Sequence, residues 1–103
     1  MIVRSWSGHT TPDREADYPV HFHHNVLPAL RGIDGFLGAT LLRELIDGAV
    51  VYQVLTRWRD MEDIRGFAGH HPSRAVVEPE AVAALVGFDK TVRHYVVVEE
   101  VQY

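Results

Sequence analysis

The chain has 103 residues, 47% of them hydrophobic and 23% charged, with a formal net charge of −4 at pH 7 and no cysteine. These figures fit one small domain spanning 1–103, and they exclude disulfides, thiolate nucleophiles and cysteine-ligated metal centres. No apolar run approaches the roughly 20 residues that span a bilayer, no basic cluster is present to neutralise a phosphate backbone, and MIVRSWSGHT has no signal-peptide h-region. A cytoplasmic protein is expected, with a small molecule or another protein as partner and neither membrane nor nucleic acid.

Val3 to Ser7 reads as a first β-strand ended by Gly8. Thr11-Pro12-Asp13 offers a helix start, and helical spacing runs on to Leu30; Pro19 fits best in the first turn of a helix that begins near Asp17. Pro28 and Gly32 end that helix, and Phe36 to Ile46 forms a long alternating strand. Asp47-Gly48 sits between two β-prone runs, and a type I′ turn needs positive φ at both central residues, so a two-residue hairpin is predicted. That turn sets Ile46 opposite Ala49, Leu41 opposite Val54, Ala39 opposite Thr56 and Leu37 opposite Trp58. Asp60 caps a second helix carrying Met61, Ile64, Phe67 and Ala68 on one side, broken by Gly69 and Pro72. A short helical piece follows at Pro79 to Val86, and Thr91 to Val101 closes the chain as a strand.

The order βαββαβ is that of an α+β, ferredoxin-like fold, with a four-stranded antiparallel sheet and both helices on one face. Val50, Tyr52 and Val54 alternate with Val51 and Leu55, and His94 shares the row of Val92, Val96 and Val98 against Tyr95 and Val97, so both faces read as largely apolar. Helices cover only one of them. A homodimer through the open sheet face, forming a dimeric α+β barrel, is the simplest cover for the other.

Trp6-Ser7-Gly8, the stretch Gly32 to Ala39, Trp58, Ile64 to Gly69, Arg74 to Glu80, and His94-Tyr95-Val96-Val97 together resemble the antibiotic biosynthesis monooxygenase-like group of the dimeric α+β barrel superfamily. The resemblance implies a hydrophobic pocket between helices and sheet. It also implies chemistry such as oxygenation of phenolic or quinone-like molecules without flavin or metal, so no cofactor is expected. Haem-degrading members are similar to one another in an Asn on the first strand, a Trp in the second helix and a later His. Here those places fall on Trp6 or Ser7, Phe67 and Val77, and the triad does not transfer.

Seven histidines are the most unusual feature of composition. Helical spacing puts His23 near the centre of the side formed by Val20, Leu27, Val26, Ala16 and Leu30, with His24 at its margin and His21 beyond it. His23 is then either a core histidine held by one hydrogen bond or a pocket base, since an imidazole exchanges protons near neutral pH. His94 lies in an apolar row and needs a partner, which makes anchoring its first role and catalysis its second. Trp6, Tyr52, Phe67 and His71 are the candidate substrate-binding residues. No metal site is expected: His21 and His24 lack a third ligand, and His70-His71 precede Pro72 on a loop. Glu78 and Glu80 flank Pro79 at a helix start, where dipole and charge account for them. The leading reading is a cofactor-independent monooxygenase-like enzyme acting on a small aromatic molecule, with a pocket histidine as base. A cyclase or isomerase on the same fold, a haem-degrading enzyme and a non-catalytic dimer that binds a hydrophobic ligand are the alternatives.

Overall fold

The computed structural model describes residues 1–103. Strand β1 (Ile2–Thr10) runs through the middle of an antiparallel sheet, with β3 (Ala49–Trp58) on one side of it and β2 (Phe36–Ile46) beyond β3. On its other side β1 pairs with two short strands, β4 (Gly87–Phe88) at Gly8 and His9, and β5 (Arg93–Val96) at Ile2 to Ser5. The expected closing strand from Thr91 to Val101 is therefore shorter and interrupted. After Asp89, whose N–H still donates to Ser7 O, the chain leaves β1 to bond the loop before the last helix, through Ala75 N to Lys90 O and Val92 N to Ser73 O. That excursion ties the loop to the sheet edge.

The hairpin forms as its turn residues require, with φ of 50° at Asp47 and 79° at Gly48. Its register holds from Ile46↔Ala49 through Gly38↔Arg57 and then slips by one residue. Phe36, not Leu37, lies opposite Trp58, because Leu37 is bulged out and Gly38 faces Arg57. A Cβ on Gly38 would lie 2.4 Å from the Arg57 guanidinium, so a larger residue there would push that flexible side chain aside.

Helix α3 (Met61–Ala68) is capped as its sequence requires: Asp60 Oδ1 accepts from Asp63 N at 3.0 Å. It lays Ile64 on Trp58, both fully buried, with Leu30 completing the cluster. Helix α4 (Pro79–Ala84) packs Ala81 and Ala84 against Tyr18, Phe22 and the inward row of β3.

The first helical rod is less regular. α1 (Asp17–His21) and α2 (Leu27–Arg31) are joined by a π-helical turn at Phe22–Val26, closed by Leu27 N to Phe22 O. A regular α-helix repeats every 3.6 residues or so, and residues spaced by four drift around it. The widened turn removes much of that drift and keeps Tyr18, Phe22, Val26 and Leu30 along one inward line. The helical phase drawn from the sequence, with Val20 and His23 inward, is overturned: both are exposed, and His21 is buried.

The face of the sheet away from the helices carries Val3, Leu55, Val51, Leu42 and Tyr95, interleaved with Ser5, Ser7, Gln53, Thr40 and Arg57. It is more polar than expected, because β1 contributes a serine row where β3 contributes valine and leucine. Val96, at the end of β5, and Val98, past it, both expected in a packed row with His94, stand exposed. No helix is long and apolar enough to cross a membrane.

Candidate functional site

A slot of about 70 Å³ opens between the helix-side face of β1 and β3 and the helices above. Its floor is Arg4 and Trp6 from β1 with Val54 and Thr56 from β3; its walls are Tyr18, Val26, Leu30 and Phe67, and the segment Val76–Glu78 runs along one rim. The surface is mostly apolar, with a few polar groups among the hydrocarbon, which is the ordinary make-up of a small-molecule site.

Arg4 is buried, 5% exposed, on the inward row of β1. Nη1 donates to Pro72 O and, at 2.9 Å, to His94 Nε2, while Nη2 donates to Arg74 O at 2.9 Å. The guanidinium lies 5.7 Å from the centroid of the Phe67 ring, which in turn stacks on Trp58 at 5.4 Å. Burial pulls the pKa of Arg4 down to about 10, which still leaves it charged at neutral pH. His94 accepts from Arg4 and so is neutral at Nε2; burial, and then the charge of Arg4, lower its pKa.

The other polar corner was not foreseen. Glu78 is the N-cap of α4, yet its side chain makes no capping bond. Its Oε2 lies 3.5 Å from Nε2 of buried His21 instead, and His21 Nδ1 meets the Asn25 amide at 3.0 Å. His21 Nε2 has no partner at hydrogen-bond geometry. Tyr18 stands beside His21, ring centroids 5.8 Å apart. Tyr18 lines the slot; burial first, and the charge of Glu78 second, raise its pKa, so the phenol stays protonated.

Of the residues singled out from sequence, Trp6 and Phe67 line the slot together. Trp6 is held by its indole N–H donating to Asp89 O at 2.7 Å. Tyr52 is buried in the core instead, its hydroxyl donating to Glu15 O. His23 is exposed and stacks edge-on against His24, so it does not reach the slot; His71 is exposed on its loop. His94 lies behind Arg4. No group of three or more His, Asp or Glu side chains gathers in a metal-binding arrangement. Arg4 could have been found, since alternation puts it on the same side as Ile2 and Trp6. Glu78 and His21 could not, because the π turn that aims His21 has no local sequence signature.

No curated protein sequence matches the chain. Among solved structures, the haem degrader MhuD of Mycobacterium tuberculosis, solved with two haems in its active site, superposes with a TM-score of 0.68 at 22% identity, covering 99% of this chain and 100% of that one. A monooxygenase from the gene ActVA-Orf6 of Streptomyces coelicolor, in complex with nanaomycin D, gives 0.60 at 16% identity over 99% and 89% of the two chains. A proposed antibiotic biosynthesis monooxygenase of Deinococcus radiodurans gives 0.66 at 15% identity over 100% and 98%. These likenesses establish the α+β, ferredoxin-like fold. The sequence profile of the antibiotic biosynthesis monooxygenase family matches residues 1–79, which include β1 to α3 and the rim up to Glu78, and the chain belongs to that family.

Proposed function

We propose that the protein is a cofactor-independent monooxygenase acting on a small phenolic or quinone-like molecule bound in the slot between Trp6 and Phe67. The observation that carries this reading is the pairing, on one apolar slot, of a carboxylate backed by a buried imidazole with a protonated phenol. Glu78, whose Oε2 lies 3.5 Å from His21 Nε2, takes the substrate's phenolic or enolic proton, the role first expected of His23. Tyr18 supplies a proton to the oxygen that develops charge. The electron-rich anion then bonds carbon to dioxygen. For an anthrone, loss of water from the resulting peroxide turns the methylene into a carbonyl: one oxygen atom stays, and the other leaves as water with the two methylene hydrogens. The substrate supplies all the electrons.

Haem fits poorly. His21 presents Nε2 to Glu78 and His94 presents it to Arg4, which leaves no imidazole on the slot for iron. Trp6, Phe67 and Val77 all line the slot at the places where haem-degrading relatives are expected to carry their Asn, Trp and His.

Oxygen uptake with anthrones and hydroquinones tests the reaction. Consumption matched one-to-one by product is expected, falling about 10²- to 10⁴-fold in Glu78→Gln. Equal turnover under argon would mark a cyclase or isomerase instead, and ligand recovered unchanged would mark a binding protein. We further propose a homodimer through the open sheet face, supported by Val3, Leu55, Leu42 and Tyr95 there, and a cytoplasmic location, which suits a chain without cysteine. Light scattering should give twice the 11.7 kDa chain mass, and Leu55→Glu should give the monomer.

A further inference from the structure

We propose that the slot takes an aromatic molecule bearing an anionic group such as a carboxylate, and that Arg4 is the residue that binds it. This inference rests on the reading of the slot as a substrate site and narrows the class of substrate.

A guanidinium has five N–H donors. In Arg4 three are taken by Pro72 O, Arg74 O and His94 Nε2, while Nε and one hydrogen of Nη2 have no partner in the protein. Every acceptor it does have is neutral. The chain carries 14 Asp and Glu against 10 Lys and Arg, yet no carboxylate lies within 4.0 Å of this buried cation. Glu78 lines the same slot, and it faces His21 instead. Buried charges are ordinarily paired, because a charge removed from water regains its lost solvation only from an opposite charge or a full set of hydrogen bonds. Arg4 has neither in full, and its side chain borders the slot.

A purely structural strut would explain the bonds to Pro72 and Arg74, which fasten the rim to β1. It would not explain a cation in preference to a neutral donor, nor the donors left over. A carboxylate seated against Arg4 supplies the missing charge and accepts the free N–H groups. Phe67, on which the guanidinium already rests, offers a face for the ligand's ring. Glu78 and Tyr18 then meet the hydroxyl end of the same molecule. The slot is thus polarised, with a cation for the acid group and a base for the phenol.

Two stable probes differ only in the acid group: 1-hydroxy-2-naphthoate and 1-naphthol. Calorimetric titration at neutral pH should show the naphthoate binding roughly 10- to 100-fold more tightly, the usual worth of a hydrogen-bonded charge. In Arg4→Met the preference should vanish while naphthol binding persists; Arg4→Lys, which keeps the charge without the fork, should retain part of it. Equal affinities in the wild type, failure of both probes to bind, or a preference that survives Arg4→Met would each overturn the proposal. The wild-type comparison stands even if the Met variant does not fold. Oxygen uptake is a separate readout: its absence, with the preference intact, would sink the oxygenase reading and leave the anion site standing. The reverse result would sink the anion site alone.

Discussion

The two ends of the helix-side layer are built on opposite terms. At the α3 end, Trp58 and Ile64 are wholly buried, and the one polar atom among them is satisfied, Trp58 Nε1 donating to Thr56 Oγ1 at 2.9 Å. At the α1 end, His21 Nε2 lacks a hydrogen-bond partner and Glu78 leaves its capping position uncapped. Both ends sit on the same sheet and both border the slot, the first through Leu30 and Phe67 and the second through Tyr18 and Glu78. Natural sequences often break the rule of satisfied polar groups where a ligand is to complete them, so the contrast supports the proposal that the slot is the site.

The strongest test of the packed end is Ile64→Ala, which should cost about 2–5 kcal/mol by urea denaturation, because the site has no room to collapse. A loss under about 1 kcal/mol would mean that this end is as loose as the slot. Two isosteric hydroxyl deletions set the ends against each other. Thr56→Val leaves the buried Trp58 N–H without an acceptor and should cost about 1–3 kcal/mol. Tyr18→Phe removes a hydroxyl at the slot and should change stability by less than about 0.5 kcal/mol while slowing turnover. If Tyr18→Phe proves the more destabilising of the two, the comparison fails. The smallest effect is a slope. His94 has its pKa lowered in the folded protein, so its contribution is complete above the unfolded value of about 6.5 and is lost as pH falls below it, when the unfolded chain takes up a proton that the folded one resists. Thermal melts between neutral and mildly acidic pH should therefore fall more steeply for the wild type than for His94→Gln.

Much of the frame was legible because its determinants are local. Asp47-Gly48 dictates a hairpin, and once the loop has two residues the pairing of Leu41 with Val54 is arithmetic. Asp60 and Asp63 announce the start of α3 just as directly. The bulge at Leu37 was not legible, because it depends on Arg57 of the neighbouring strand crossing over Gly38. Trp6 and Phe67 were found because aromatic residues on inward rows are few. The corner of His21 and Glu78 was missed for a different reason: the inward line of the first rod was drawn with a uniform helical period, and one π turn moved His21 in and His23 out. The partners of Arg4 were equally hidden, since Pro72 and Arg74 are brought to it by a loop some 70 positions away.

That π turn also sets how this chain can vary. It behaves as a spare residue inside an otherwise regular rod, so deleting one position from Phe22–Val26 would let the backbone close with ordinary i→i−4 bonds. The shortened rod would remain a good helix and would turn its first half by nearly a third of a revolution, about 100°, relative to its second. Val26 and Leu30 would keep their seats while Tyr18 and His21 swung away from Glu78. A one-residue gap at this place in a related sequence would thus mark a protein with the same fold and a differently lined slot.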